Sequence, residues 1–159
     1  MKRLNKIQSS LSSAVSTTME SMTFEEIEMV DEDEIQISED EQIWSTLPIA
    51  LPYAGELVVR IRREYGRVLA DEVMGFMDED VSETTINDNL AEIANTIAGR
   101  FMDDLVSEYQ GFELGLPATG AGNLIDDSSV AATIPIRIGE YEMIVSVRGR
   151  DFVELLEKA

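Results

Sequence analysis

The stretch that decides the architecture is ETTINDNLAEIANTIAGRFMDDLVSEY, residues 83–109. Its apolar residues Ile86, Leu90, Ile93, Ala94, Ile97, Phe101 and Leu105 recur mostly at helical spacings. At about 100° per residue they form one broad stripe, as on a helix packed by one face against a core. Ser82, just before it, is of the type that caps a helix by accepting from a first-turn N–H. The other side of the helix carries a narrow polar row. Asp88, Glu92, Asn95 and Gly99 project within about 60° of one another. A glycine inside a helix costs about 1 kcal/mol relative to alanine, so its presence on this row points to close approach from outside. By pattern alone, the plainer reading of the row is a solvated surface.

The flanking sequence supplies a sheet and further helices. Leu4, Ile7, Leu11, Val15 and Met19 form one helical stripe. In residues 24–38, Ile27 and Met29, then Ile35 and Ile37, alternate around Asp31-Glu32-Asp33-Glu34, which predicts a hairpin or two short strands. Residues 44–51 and 56–62 predict a strand pair joined by Pro52-Tyr53-Ala54-Gly55. Tyr65, Val68, Leu69, Val73 and Phe76 predict a short helix ending near Gly75, with an acidic linker over residues 77–83. Beyond the long helix, residues 111–116 predict a strand and residues 117–129 a loop. Ile134, Ile136 and Ile138, a turn at Gly139, and Tyr141, Met143, Val145 and Val147 make a closing hairpin. Pro135 has the opposite parity to the isoleucines, and an edge position would accommodate its missing N–H. Residues 151–158 predict a terminal helix. The expected fold class is α+β, a mostly antiparallel sheet with helices packed on it, in one domain spanning residues 1–159.

Composition narrows the chemistry. With no cysteine and no histidine, disulfides, thiolate metal sites, cysteine nucleophiles and the Ser-His-Asp arrangement are excluded. The net charge of −20 opposes nucleic acid and anionic membrane surfaces, so neither is an expected partner. No apolar run approaches the roughly 20 residues that a bilayer demands, and a cytoplasmic setting is expected. Residues 20–41 hold eleven acids and no base, over half of the imbalance, and read most simply as a solvated hairpin or loop. Arg60, Arg62, Arg63 and Arg67 read as a patch answering those acids, Trp44 as packing, and Thr119-Gly120-Ala121-Gly122 as a turn, since the Lys of a P-loop is absent.

The order Asp88, Glu92, Asn95 and, further on, Pro117 resembles the signature of the CheC/CheX/FliY phosphatases. LAEIANTIAGRFMDDL followed by LGLPATGAG is similar to the single-motif CheX branch, as are the TMESM end of the first helix and the AGELVVRI strand. Arg100-Phe101-Met102 after Gly99 is bulkier than that pattern, and the acidic segment is more extreme.

The resemblance implies a CheX-like domain whose Glu92 and Asn95 are catalytic, with Asp88, Gly99 and Pro117 supporting the motif. The implied substrate is a phosphorylated CheY-like response regulator, and the implied assembly a homodimer. No intrinsic cofactor is expected, since the Mg2+ belongs to the regulator. Hydrolysis of an aspartyl phosphate needs little beyond an aligned water and balanced charge. Asn95 suits the first need, because a carboxamide both donates and accepts and does not titrate. Glu92 offers a carboxylate to a lysine, by resemblance the regulator's active-site lysine. A spacing of three puts both heads on one helical face. The alternatives are a non-catalytic interaction or dimerisation module of the same fold, and a divalent-metal protein built on residues 20–41.

Overall fold

The computed structural model describes residues 2–74, 81–106, 110–124 and 129–157. Two long helices frame the chain: α1 (Lys2–Thr23) and α3 (Glu83–Leu105). Between them lie β1 (Ile27–Met29), β2 (Gln42–Leu51), β3 (Gly55–Arg62) and α2 (Arg63–Met74). After α3 come β4 (Glu113–Leu114), β5 (Ala118–Ala121), β6 (Val130–Ile138), β7 (Tyr141–Arg148) and α4 (Arg150–Glu157). The sheet runs β1-β6-β7-β3-β2-β4, with β5 also on β2, and every pairing is antiparallel.

Alternation decides which face the helices cover. Leu57, Val59 and Ile61 of β3, Ile134, Ile136 and Ile138 of β6, and Met143, Val145 and Val147 of β7 point one way. They share one core cluster with Ile7, Leu11, Val15 and Met19 of α1, the stripe of α3, and Phe152 of α4. Leu4 has no described side chain. Burial of so many aliphatic side chains, each contributing on the order of 1.5–3 kcal/mol, holds the helices to the sheet. On α2, Tyr65, Leu69 and Ala70 are buried but Val73 is exposed, so the predicted stripe is shifted toward Ala70, and Phe76 lies outside the described residues. Gly66 allows this helix to lie close, since a Cβ there would meet Ile43 Cδ1 at 2.7 Å.

The acidic segment departs from expectation. It makes no hairpin with itself. β1 pairs with β6, setting Ile27 against Ile138, and two single 3-10 turns follow at Glu32–Glu34 and Glu39–Glu41. The acidic side chains bond locally: Asp31 N–H donates to Glu34 Oε1 at 3.1 Å, and the Ser38 hydroxyl donates to Glu41 Oε1 at 3.0 Å. Such local bonds compete with a strand ladder. The Ile35 and Ile37 alternation reflects packing instead: Ile35 is buried, and residues 32–41 lie along the outer sheet face beside Arg60, Arg62 and Ile144. Arg62 anchors the segment by donating to Gln36 O at 2.5 Å and facing Glu41 at 3.9 Å.

Two more expectations change. Residues 117–129 are not all loop, because β5 pairs with β2 from Ala118↔Thr46 to Ala121↔Ile43. The Thr119-Gly120-Ala121 run is therefore strand, and Gly120 leaves room for the Trp44 ring, which a Cβ would overlap. Pro135 is not on an edge strand either, since β6 lies between β1 and β7. It stands where the β1–β6 ladder stops: Val30 N–H donates to Pro135 O at 3.2 Å, and proline has no N–H to return the bond.

Candidate functional site

Helix α3 positions the candidate row. Its start is fixed by Ser82, whose Oγ accepts from Thr85 N–H at 3.1 Å, as anticipated, and by an ion pair between Arg63 and Glu83. Its rotation is fixed by Ile86, Leu90, Ile93, Ala94, Ile97, Ala98, Phe101 and Met102, all buried, with Leu105 partly so. Ala98 and Met102 widen the expected stripe. The helix ends at Leu105, Val106 is an extended C-cap, and residues 107–109 lie outside the described ones.

With the apolar stripe held inward, Asp88, Glu92 and Asn95 are exposed. None of the three makes a hydrogen bond or ion pair among the described residues. Gly99 is half-buried, and a Cβ on it would meet nothing within 4 Å. No described residue therefore calls for glycine at that position. Pro117 is exposed between β4 and β5, next to Leu116, which is 87% exposed.

A groove of about 120 Å³ runs beside the row, between the C-terminal half of α1 and α3. Thr18, Ser21 and Met22 line it from α1, and Asn89, Glu92, Thr96 and Arg100 from α3. Arg100 Nη1 donates to Thr18 Oγ1 at 3.1 Å, and Thr18 Oγ1 donates to Ala14 O at 2.7 Å. Glu92 thus borders both this groove and the row with Asn95. Sequence reasoning missed this setting of Glu92. Its one sign was the polar interruption Thr18 and Ser21 within TMESM, at the end of an otherwise apolar stripe.

Among the described residues no three carboxylates gather so as to hold a metal ion.

The result is an antiparallel sheet with helices packed on one face and an exposed Glu92 and Asn95 on the longest of them. Solved structures share the fold. The CheX of a CheX-CheY-BeF3-Mg2+ complex from Borrelia burgdorferi matches 88% of this chain over 95% of its own, with a TM-score of 0.70 at 19% identity. Thermotoga maritima FliY matches 99% of this chain over 94% of its own (TM-score 0.66, 16% identity). The FliM middle domain from H. pylori matches 100% over 99% (TM-score 0.61, 12% identity). The fold alone therefore does not decide the activity. No curated protein sequence matches the chain. The family model described as chemotaxis phosphatase CheX matches residues 45–137, more than half of the chain and including the whole of α3. The chain belongs to the CheX family of chemotaxis phosphatases.

Proposed function

We propose that this chain hydrolyses the aspartyl phosphate of a CheY-type response regulator by inserting Glu92 and Asn95 into the regulator's active site. The observation that carries this reading is the state of the pair. The two heads stand one turn apart on an exposed face of a well-anchored helix, and no described residue engages them. A carboxylate and a carboxamide left free by their own chain are free to bind a lysine and a water of a partner. In this mechanism Asn95 aligns the water for in-line attack on phosphorus, and Glu92 pairs with the regulator's lysine. The Mg2+ is the regulator's and offsets charge on the phosphoryl oxygens. A CheX of this fold forms a complex with CheY in the presence of BeF3 and Mg2+, which supports the choice of partner. Asp88, Gly99 and Pro117 border the docking surface, and the chain acts as a cytoplasmic homodimer. The deciding experiment mixes the protein with phosphorylated response regulators from the same genome and follows phosphate loss. Faster decay with one of them supports the reading. Binding without faster decay favours the second reading, a non-catalytic module, which the recurrence of the fold in the FliM middle domain keeps in view.

A further inference from the structure

The face of the sheet turned away from the helices carries a concavity of its own. Its volume of about 360 Å³ is within the range of small-ligand pockets. Gln42, Val58, Arg60, Thr133, Ser146 and Arg148 form most of it, and Glu32 sets one carboxylate at its wall, the single acid among its described residues against two guanidinium groups. Register explains the arrangement. Val58, Ser146 and Thr133 stand side by side across β3, β7 and β6, and the two hydroxyls lie 3.3 Å apart. Arg60 is two residues along β3 from Val58, and Arg148 two residues along β7 from Ser146. Side chains two apart on a strand share a face, so two guanidinium groups flank the hydroxyl row from opposite ends.

Charge on this face is concentrated and unevenly answered. Arg60, Arg62, Arg137 and Arg148 all project from it, in a chain with only 12 basic residues. Glu41 answers Arg62, Glu142 answers Arg137, and Glu56 answers Arg148. Among the described residues no carboxylate pairs with Arg60; its hydrogen bond goes to Gln42 Oε1 at 3.5 Å. Gln42 is itself only 7% exposed and is oriented by donating from Nε2 to Gly122 O at 2.9 Å. Arg60 is therefore half-buried at the wall of a pocket, steered by a fixed amide, beside two hydroxyls. A planar guanidinium in such a place matches a carboxylate or phosphate group.

We propose that this pocket binds a small organic anion through a carboxylate or phosphate group, at a site separate from the Glu92–Asn95 row. Arg60 supplies the charge-assisted contact, and Thr133 and Ser146 supply hydroxyl donors from the floor.

Trp44, the chain's one tryptophan, is the cross-strand partner of Arg60 and serves as a built-in reporter. Tryptophan emission is followed while the protein is titrated with inorganic phosphate in one arm and malonate in another, each against sodium chloride at matched ionic strength. The expected result is a saturable change with at least one anion beyond the chloride control, the stronger arm identifying the head group. Arg60→Gln is expected to weaken that binding at least about tenfold, as loss of a charge-assisted bond implies. Arg137→Gln, on the same face but outside the pocket, is expected to leave it unchanged. Should Arg60→Gln fail to fold by circular dichroism, Arg60→Lys keeps the charge without the planar fork and is expected to weaken binding too. No response beyond chloride, or unchanged affinity in whichever Arg60 variant folds, overturns the proposal. The assay uses no response regulator, so its outcome is independent of the phosphatase reading.

Discussion

Glu92 and Asn95 stand one helical turn apart on the exposed side of α3, and neither head group makes a hydrogen bond or ion pair with another described residue. Both are held in place from beneath. Ile93, Ala94 and Ile97 are buried against the sheet, and this fixes the rotation of the helix that presents the pair.

Asn95→Ala is expected to abolish most of the acceleration of regulator dephosphorylation, by on the order of 10²-fold or more, as for other aimed polar groups. Docking should be nearly unchanged, because the amide adds little contact area. The measurement is decay of the phosphorylated regulator alongside binding to a regulator held in a phosphorylated-like state. Full activity in this variant rules out the water-positioning role.

Glu92→Ala is expected to weaken association as well as rate, because an ion pair formed in a closed cleft contributes to both. Folding stability should shift by less than about 0.5 kcal/mol, as is usual at exposed positions. Unchanged affinity for the regulator would show that the carboxylate makes no such pair.

Gly99 separates stability from function. With open space around it, Gly99→Ala should stabilise the chain by roughly 0.5–1 kcal/mol through helix propensity. If the regulator packs against this face, the same methyl should lower affinity. Chemical denaturation and regulator binding are measured together; higher stability with unchanged binding removes Gly99 from the docking surface.

Ser82→Ala should cost about 1 kcal/mol, since it removes the acceptor of the Thr85 N–H at the start of α3. Urea unfolding of the two proteins reads this directly. An equal midpoint would mean that the cap adds nothing to the fold.

Tyr65 predicts the alkaline behaviour. Its ring stacks on Tyr141 at 4.7 Å, and its hydroxyl is buried without a hydrogen-bond partner among the described residues. Burial first, then the charges of Glu72 and Glu25, raise its pKa above the ordinary 10.0. The folded state therefore keeps the phenol proton where the unfolded state loses it, and stability falls as pH rises past about 10. Tyr65→Phe should make that fall shallower in denaturation series from neutral to alkaline pH. An identical slope refutes this origin. The Glu72 carboxyl is also raised, by burial and then by Glu25. Its charge thus works against the fold above its folded pKa, and Glu72→Gln should stabilise the protein at neutral pH.

Local pattern carried much of this protein. The stripe from Ile86 to Phe101, the Ser82 cap, the β2–β3 pair and the β6–β7 hairpin all follow from periodicity, capping and turn chemistry within short windows. The polar row containing Glu92 and Asn95 followed as well, because fixing the buried stripe of a helix also fixes what faces outward.

Pairings between distant segments were not readable. β1 joins β6 across more than a hundred residues, and β5 extends the edge of β2 because Gly120 clears the Trp44 ring. Alternation at Ile35 and Ile37 looks the same whether the partner is a neighbouring strand or the face of a sheet. The groove that sets Thr18 and Arg100 beside Glu92, and the gathering of Arg60 and Arg148 on the outer face, likewise bring together residues far apart in the chain. Sequence by itself determined which elements form and which side of each is apolar, since these depend on backbone geometry and near neighbours. Only the tertiary structure decided which surfaces meet, because that depends on shape and charge matching between segments whose separation in sequence carries no record of their contact.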